Sequence, residues 1–199
     1  MIIRKTIALS VSIFVSMTVA TVAYAEKRAA LVIGNNSYVH APDLKNPIND
    51  AQAFADKLES IGFEVTMGVD LDYDGLRDTV RGFARSAAKA DLTLVYYAGH
   101  GISVDGINYM VPIDARLNDE IDWQFEVYEV TELLKLVNRS PGPSLIFLDA
   151  CRDNPLAQEL ASAQGMGTRS LNTRGLSRIP TEELGVTGSV IAYAITEPV

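Results

Sequence analysis

The stretch "LTLVYYAGHG", Leu92 to Gly101, decides how this chain folds. Its first part is a short, mostly apolar run with β-branched and aromatic side chains, closed by Gly99. Such a run is too short for a core helix. It also lacks the apolar–polar alternation of a half-exposed strand, so it reads as a strand buried on both faces. Strands of that kind belong to parallel sheets covered by helices on either side. Directly after the strand stands a histidine, His100, between Gly99 and Gly101.

Working outward, the same signal recurs. "SLIFLDA" (Ser144–Ala150) is a second buried strand, and Cys151 follows it. "AALVIGN" (Ala29–Asn35), "FEVTMGVD" (Phe63–Asp70) and "GSVIAYAIT" (Gly188–Thr196) are three more. "GINYMVPID" (Gly106–Asp114) reads as a strand or hairpin arm after a turn at "VDG". Between the strands lie helical patterns. Asn46 and Pro47 fit a helix start, Phe54, Leu58 and Ile61 its inward face, and Gly62 its stop. "DYDGLRDTVRGFARSAAKAD" (Asp72–Asp91) places Leu76, Val80, Phe83 and Ala87 on one face, and "VTELLKLVN" (Val130–Asn138) is a short helix. The fold class is α/β, a three-layer α/β/α sandwich with a mainly parallel central sheet. Ligands of such sheets bind beyond the carboxyl ends of the strands, where His100 and Cys151 both fall.

Composition agrees with one globular domain. The 199 residues are 48% hydrophobic and 21% charged, and the net charge of −8 argues against a nucleic-acid binder, which needs a basic face. "MIIRK", an apolar stretch from Ile7 to Val22 and a small-residue "AYA" (Ala23–Ala25) read as a secretory signal peptide cut after Ala25, with an uncleaved membrane anchor as the rival reading. Cleavage removes Arg4 and Lys5 and so takes the charge from −8 by two, to −10. The expected location is therefore periplasmic or secreted, with residues 26–199 as the working domain and no membrane contact after cleavage. Residues 157–187 are polar and rich in Gly, Ser, Thr and Arg, and read as a mobile loop. "GNNS" (Gly34–Ser37) lacks the glycine spacing and the lysine of a phosphate loop, so a nucleotide-binding reading finds no support.

Cys151 is the only cysteine, and only His40 and His100 accompany it. No metal site built on Cys and His follows from that set. An unpaired thiol in an oxidising compartment is a liability unless it is buried or useful. A thiol becomes a nucleophile when a neighbouring base takes its proton, and imidazole is suited to that role and to protonating a leaving amine later. Gly flanks let the backbone at His100 approach a substrate closely. The backbone amides of Gly101 and Cys151 are candidates for an oxyanion hole. His40 has no comparable support and reads as a loop residue. Trp123 and Phe125 read as packing near a groove or as cover for the sheet.

"YYAGHG" followed 51 residues later, histidine to cysteine, by "DACRDNP" resembles the caspase-like cysteine peptidases of peptidase family C14, in their metacaspase-like, bacterial orthocaspase-like branch. The caspase signature is Q-A-C-[RQG]-G with a histidine about 50 residues upstream. Here Asp149 stands at the glutamine and Asp153 at the last glycine. "ALVIGNNSY" and "LKNPINDA" look like the family's first strand and the helix after it, and the likeness runs from Lys27 to Thr196. The resemblance implies a Cys151–His100 dyad that hydrolyses peptides through an acyl-enzyme, with no third member assigned. It also implies Asp149 and Asp50 as acids of a pocket for Arg or Lys, a preference that paired carboxylates would serve physically.

The resemblance implies a peptide or protein substrate, no nucleic acid and no cofactor; the oligomeric state is not read. Asp114 and Asp119 would be the acids of a calcium site of the metacaspase type, a solvated acidic loop being the simpler reading. Arg169, Arg174 and Arg178 would offer an Arg-specific peptidase sites in its own loop, against ordinary solvated arginines. Relatives continue past the point matching Val199, so the small-subunit half is expected to be cut short. A catalytically impaired caspase-like binding or scaffold protein is the alternative.

Overall fold

The computed structural model describes residues 26–117, 124–150, 176–179 and 189–193. Five strands form one sheet: β1 (Arg28–Gly34), β2 (Phe63–Val69), β3 (Leu92–Gly99), β7 (Ser144–Ala150) and β8 (Ser189–Tyr193). Their order across the sheet is β2-β1-β3-β7-β8, and every pairing is parallel. A second, antiparallel sheet joins β4 (Gly101–Val104), β5 (Ile107–Met110) and β6 (Tyr128–Glu129). The expected arm at Gly106–Asp114 is thus a true hairpin arm, but only its first half is strand. Its partner β4 has no counterpart among the expected strands.

The helices cover both faces. α1 (Pro47–Ser60) packs over Ala30, Val32, Leu94, Tyr96 and Ala98 on one face. α2 (Tyr73–Ala87) and α3 (Val130–Val137) pack over Leu31, Ile33, Val95, Tyr97, Ile146 and Leu148 on the other. Successive strand residues point to opposite faces, so both parities must be apolar, which is why these strands read as continuous apolar runs. Each large side chain fully buried this way contributes about 1.5–3 kcal/mol.

Local sequence sets the helix ends. Pro47 opens α1, where its missing amide hydrogen costs nothing. Asp72 caps α2, accepting from the Gly75 amide at 2.7 Å. Leu76, Val80, Phe83 and Ala87 are buried as the periodicity requires. The face of α1 differs from its expected one. Ala51, Ala55 and Leu58 are its buried residues, Phe54 is half-buried against Tyr96 and Phe147, and Ile61 is 46% exposed. The helix ends at Ser60, so Ile61 leaves the helical register before it can turn inward.

The strand order fixes where a site can form. From β1 the chain moves outward to β2, then returns to the other side of β1 as β3. The strand order therefore reverses between β1 and β3, the kind of point at which such sheets bind ligands beyond the carboxyl ends of their strands. Those ends are Gly34 and Gly99, followed by Asn35 and His100.

Candidate active site

His100 follows the carboxyl end of β3 at that point and is 1% exposed. Its main chain is held on both sides. The His100 amide donates to the Tyr38 hydroxyl at 2.8 Å, and its carbonyl accepts from the Val111 amide at 3.0 Å and from the Tyr97 hydroxyl at 2.5 Å. The ring is held by the loop after β1. Its Nε2 lies 2.8 Å from the carbonyl oxygen of Pro42, and the Tyr38 ring packs against it with centroids 4.4 Å apart. A carbonyl only accepts, so Nε2 must carry the hydrogen. Nδ1 is then the unprotonated nitrogen. It is buried and has no hydrogen-bond partner among the described residues. Burial pulls the imidazole below its ordinary pKa, and the Pro42 contact only partly opposes this. The ring is neutral at pH 7, a base with its lone pair available.

β3 and β7 end level. Ala98 pairs with Asp149, and Gly99 with Ala150. The residues next in sequence are His100 and Cys151. Cys151 itself lies outside the described residues, as do Arg169, Arg174, Asp119 and Trp123.

Asp149 and Asp50 are brought together. Asp149 is half-buried at the end of β7, and Asp50 lies in the first turn of α1 on the same face of the sheet. Burial raises the Asp149 carboxyl above the usual range, the nearby Asp50 charge raises it further, and a hydrogen bond from Tyr96 works the other way. Burial, with the charges of Asp149 and Asp50, pushes the Tyr96 hydroxyl up to about 12. A half-buried carboxylate whose ionisation is opposed by a neighbouring carboxylate is short of a cation.

Gly101 begins β4 and faces Ala150 and Leu176. A Cβ added there would come within 3.0 Å of the Ala150 Cβ and 2.9 Å of Leu176. The glycine is thus a packing requirement of this rim. Leu176 belongs to the stretch expected as a mobile loop, and the described part of it is anchored. Ser177 is gripped by Asn108, whose Nδ2 donates to the Ser177 carbonyl at 2.6 Å and whose Oδ1 accepts its amide at 2.7 Å. The Ser103 and Ser177 hydroxyls meet at 2.7 Å.

The remaining candidates lie apart from His100. His40 is an exposed bend residue, as expected. Asp114 accepts the Tyr73 amide at 3.0 Å and lines a cleft of about 400 Å³ with Asp72, Asp74 and Glu126. Among the described residues no group of three metal-type side chains converges. Phe125 borders the same cleft and is 70% exposed, so it does not cover the sheet.

A family model described as the caspase domain of peptidase family C14 matches residues 27–194. The chain belongs to the caspase-domain family. Mucosa-associated lymphoid tissue lymphoma translocation protein 1 from Homo sapiens is 32% identical over 128 residues, 64% of this chain and 15% of that protein. Its Mus musculus homolog matches to the same extent. The caspase domain thus spans a small part of the length of these curated relatives. A solved protein from Geobacter sulfurreducens shares the fold, with a TM-score of 0.51, 22% identity, and 66% of this chain and 53% of that one covered. Membership supplies protease-type chemistry at the level of the family.

Two residues of this caspase domain escaped the sequence reading, Tyr38 and Pro42. Pro42 acts through its backbone carbonyl, which has no side-chain signature. Tyr38 carried a signal, since it closes "GNNSY" after β1, on the rim where ligands bind.

Proposed function

We propose that the protein is a cysteine endopeptidase that uses Cys151 and His100 and cleaves after Arg or Lys. The observation that carries this reading is the state of His100: Nε2 committed to Pro42, Nδ1 buried and without a partner among the described residues. The level ends of β3 and β7 support Cys151 as the group that Nδ1 serves. Nδ1 takes the thiol proton, and the thiolate attacks the scissile carbonyl carbon. The oxyanion is received by the amides of Gly101 and Cys151. The imidazolium gives its proton to the leaving amine, and the C–N bond breaks to leave a thioester. His100 then deprotonates a water, which attacks the thioester, and the acid product and the free thiol are released.

Asp149 and Asp50 supply the preference. A guanidinium or ammonium between them relieves their mutual repulsion and donates hydrogen bonds to both carboxylates in a partly dry pocket. The "AYA" leader supports export, so the substrate would be an extracytoplasmic protein.

The test is hydrolysis of fluorogenic peptides ending in Arg, Lys or Asp, with Cys151→Ala as the control. Labelling by a peptidyl chloromethylketone is measured alongside. Cleavage after Arg or Lys, with labelling lost in His100→Ala, supports the reading. Cleavage after Asp alone sinks the pocket assignment. Slow labelling that does not depend on His100 favours a scaffold.

A further inference from the structure

We propose that Tyr38 is a positioning residue for His100, fixing which ring nitrogen faces the reacting thiol. This rests on the reading of His100 as the base, and it deepens that reading.

An imidazole can present either nitrogen by rotating about its ring bond, and either nitrogen can carry the hydrogen. A base in a peptidase must present one nitrogen, unprotonated. Pro42 selects the tautomer, but a single hydrogen bond to one carbonyl does not stop the ring from swinging. Tyr38 closes that freedom in two ways. Its hydroxyl accepts the His100 amide at 2.8 Å, and its ring lies tilted by 56° against the imidazole. The tyrosine is 7% exposed and cannot move aside without opening the core.

The loop that delivers Tyr38 and Pro42 is tied down at successive residues. The Asn35 Oδ1 accepts the Leu71 amide at 3.0 Å. The Asp70 carboxylate accepts the Asn36 amide at 2.6 Å and the Ser37 amide at 3.0 Å. The Tyr38 amide donates to Asp43 at 3.0 Å, and the Val39 amide to the Ile113 carbonyl at 2.8 Å. "GNNSY", which suits no phosphate, is accounted for as this mount. Gly99 completes it: a Cβ there would fall 2.8 Å from both the Tyr38 and Tyr97 hydroxyls, so the glycine before His100 is what admits the pair.

The experiment compares the full chain with Tyr38→Phe and Tyr38→Leu, labelled with nitrogen-15 at histidine. Nitrogen NMR reads the His100 tautomer, hydrogen exchange reads its amide, and a pH series reads kcat and KM on an Arg-ended peptide. The wild type is expected to hold hydrogen on Nε2 alone. Tyr38→Leu should mix the tautomers and lower kcat about 10- to 100-fold with KM changed less than about twofold, the scale of loss for a misplaced catalytic group. Tyr38→Phe should keep the ring order and restore most of kcat, while the His100 amide loses its exchange protection. A folded Tyr38→Leu with one tautomer and wild-type kcat overturns the proposal. If Tyr38→Leu does not fold, Tyr38→Phe decides: an amide as protected as in the wild type overturns it. If the wild type cleaves no peptide, the endopeptidase reading fails. The tautomer arm still decides the positioning role: mixing in Tyr38→Leu upholds it and a single tautomer overturns it.

Discussion

His100 donates its Nε2–H to the carbonyl oxygen of Pro42 across 2.8 Å, and that one contact fixes the tautomer of the neutral ring, leaving Nδ1 the nitrogen with the lone pair. The carbonyl does for the imidazole what the carboxylate does in a Ser-His-Asp triad, orienting it and fixing its tautomer, but adds no negative charge. Burial therefore keeps its say, and the net shift of the imidazole is downward.

A pH profile follows. The base form is the neutral imidazole, so the acid limb of kcat/KM for an Arg-ended peptide should fall below the ordinary histidine value of about 6.5. A limb above 6.5 would mean that a negative charge, not a carbonyl, faces the ring. The same shift acts on folding. A folded pKa depressed below the unfolded one gives stability present above about pH 6.5 and lost as pH falls through the folded value. His100→Gln should flatten that part of a stability–pH curve measured by urea unfolding.

Asp149 gives the opposite sign. Its carboxyl is raised by burial and by Asp50, so its ionisation opposes folding, and the opposition vanishes as pH falls. Asp149→Asn should leave the melting temperature at neutral pH unchanged or higher. The same substitution should cost binding of an Arg-ended peptide about 10- to 150-fold, the worth of a hydrogen bond to a charged group. Calorimetry and KM measured on one preparation separate the two. A fall in stability with no change in KM would place Asp149 in the structure and outside the pocket.

Packing predicts a contrast between α2 and the end of α1, on either side of β2 in the chain. Phe83 is 1% exposed within the main core, and Phe83→Ala should cost about 3–5 kcal/mol in urea unfolding. Ile61 is 46% exposed, and Ile61→Ser should stay within about 0.5 kcal/mol of the wild type. A large loss at Ile61 would restore it to the core.

That contrast marks what could be read from the residues. β3 and β7 have the bounds their apolar runs gave, Leu92–Gly99 and Ser144–Ala150, because the central strands of a covered parallel sheet are apolar on both parities. The inward face of α2 was legible because its apolar residues are large. On α1 the contacts go to Ala51 and Ala55, and counting large side chains put Ile61 in their place. His100 was legible as a histidine between glycines at a strand end. Its Pro42 partner was not, because a carbonyl 58 residues away leaves no trace in composition. Residues 176–179 read as loop for a similar reason. They are loop, but an anchored one: the Asn108 side chain grips the Ser177 backbone, the Ile179 amide donates to the Tyr193 hydroxyl, and Leu176 and Ile179 pack on the core.

That grip makes the last prediction. Asn108 is buried and replaces a strand partner for Ser177, satisfying both its amide and its carbonyl. Asn108→Ala removes both bonds at once, a loss of about 1–3 kcal/mol. The stretch beside it carries Arg178, which is exposed, while Leu176 and Ile179 pack on the core. A protease that cuts an opened state tracks the population of that state, and every 1.4 kcal/mol is a factor of ten. Limited trypsin digestion should therefore cut after Arg178 at least about fivefold faster in Asn108→Ala than in the wild type. Because Leu176 rests on Gly101 beside His100, the same variant should also alter kcat on an Arg-ended peptide. Equal trypsin rates in the two proteins would mean that the contacts of Leu176 and Ile179 hold this stretch without Asn108.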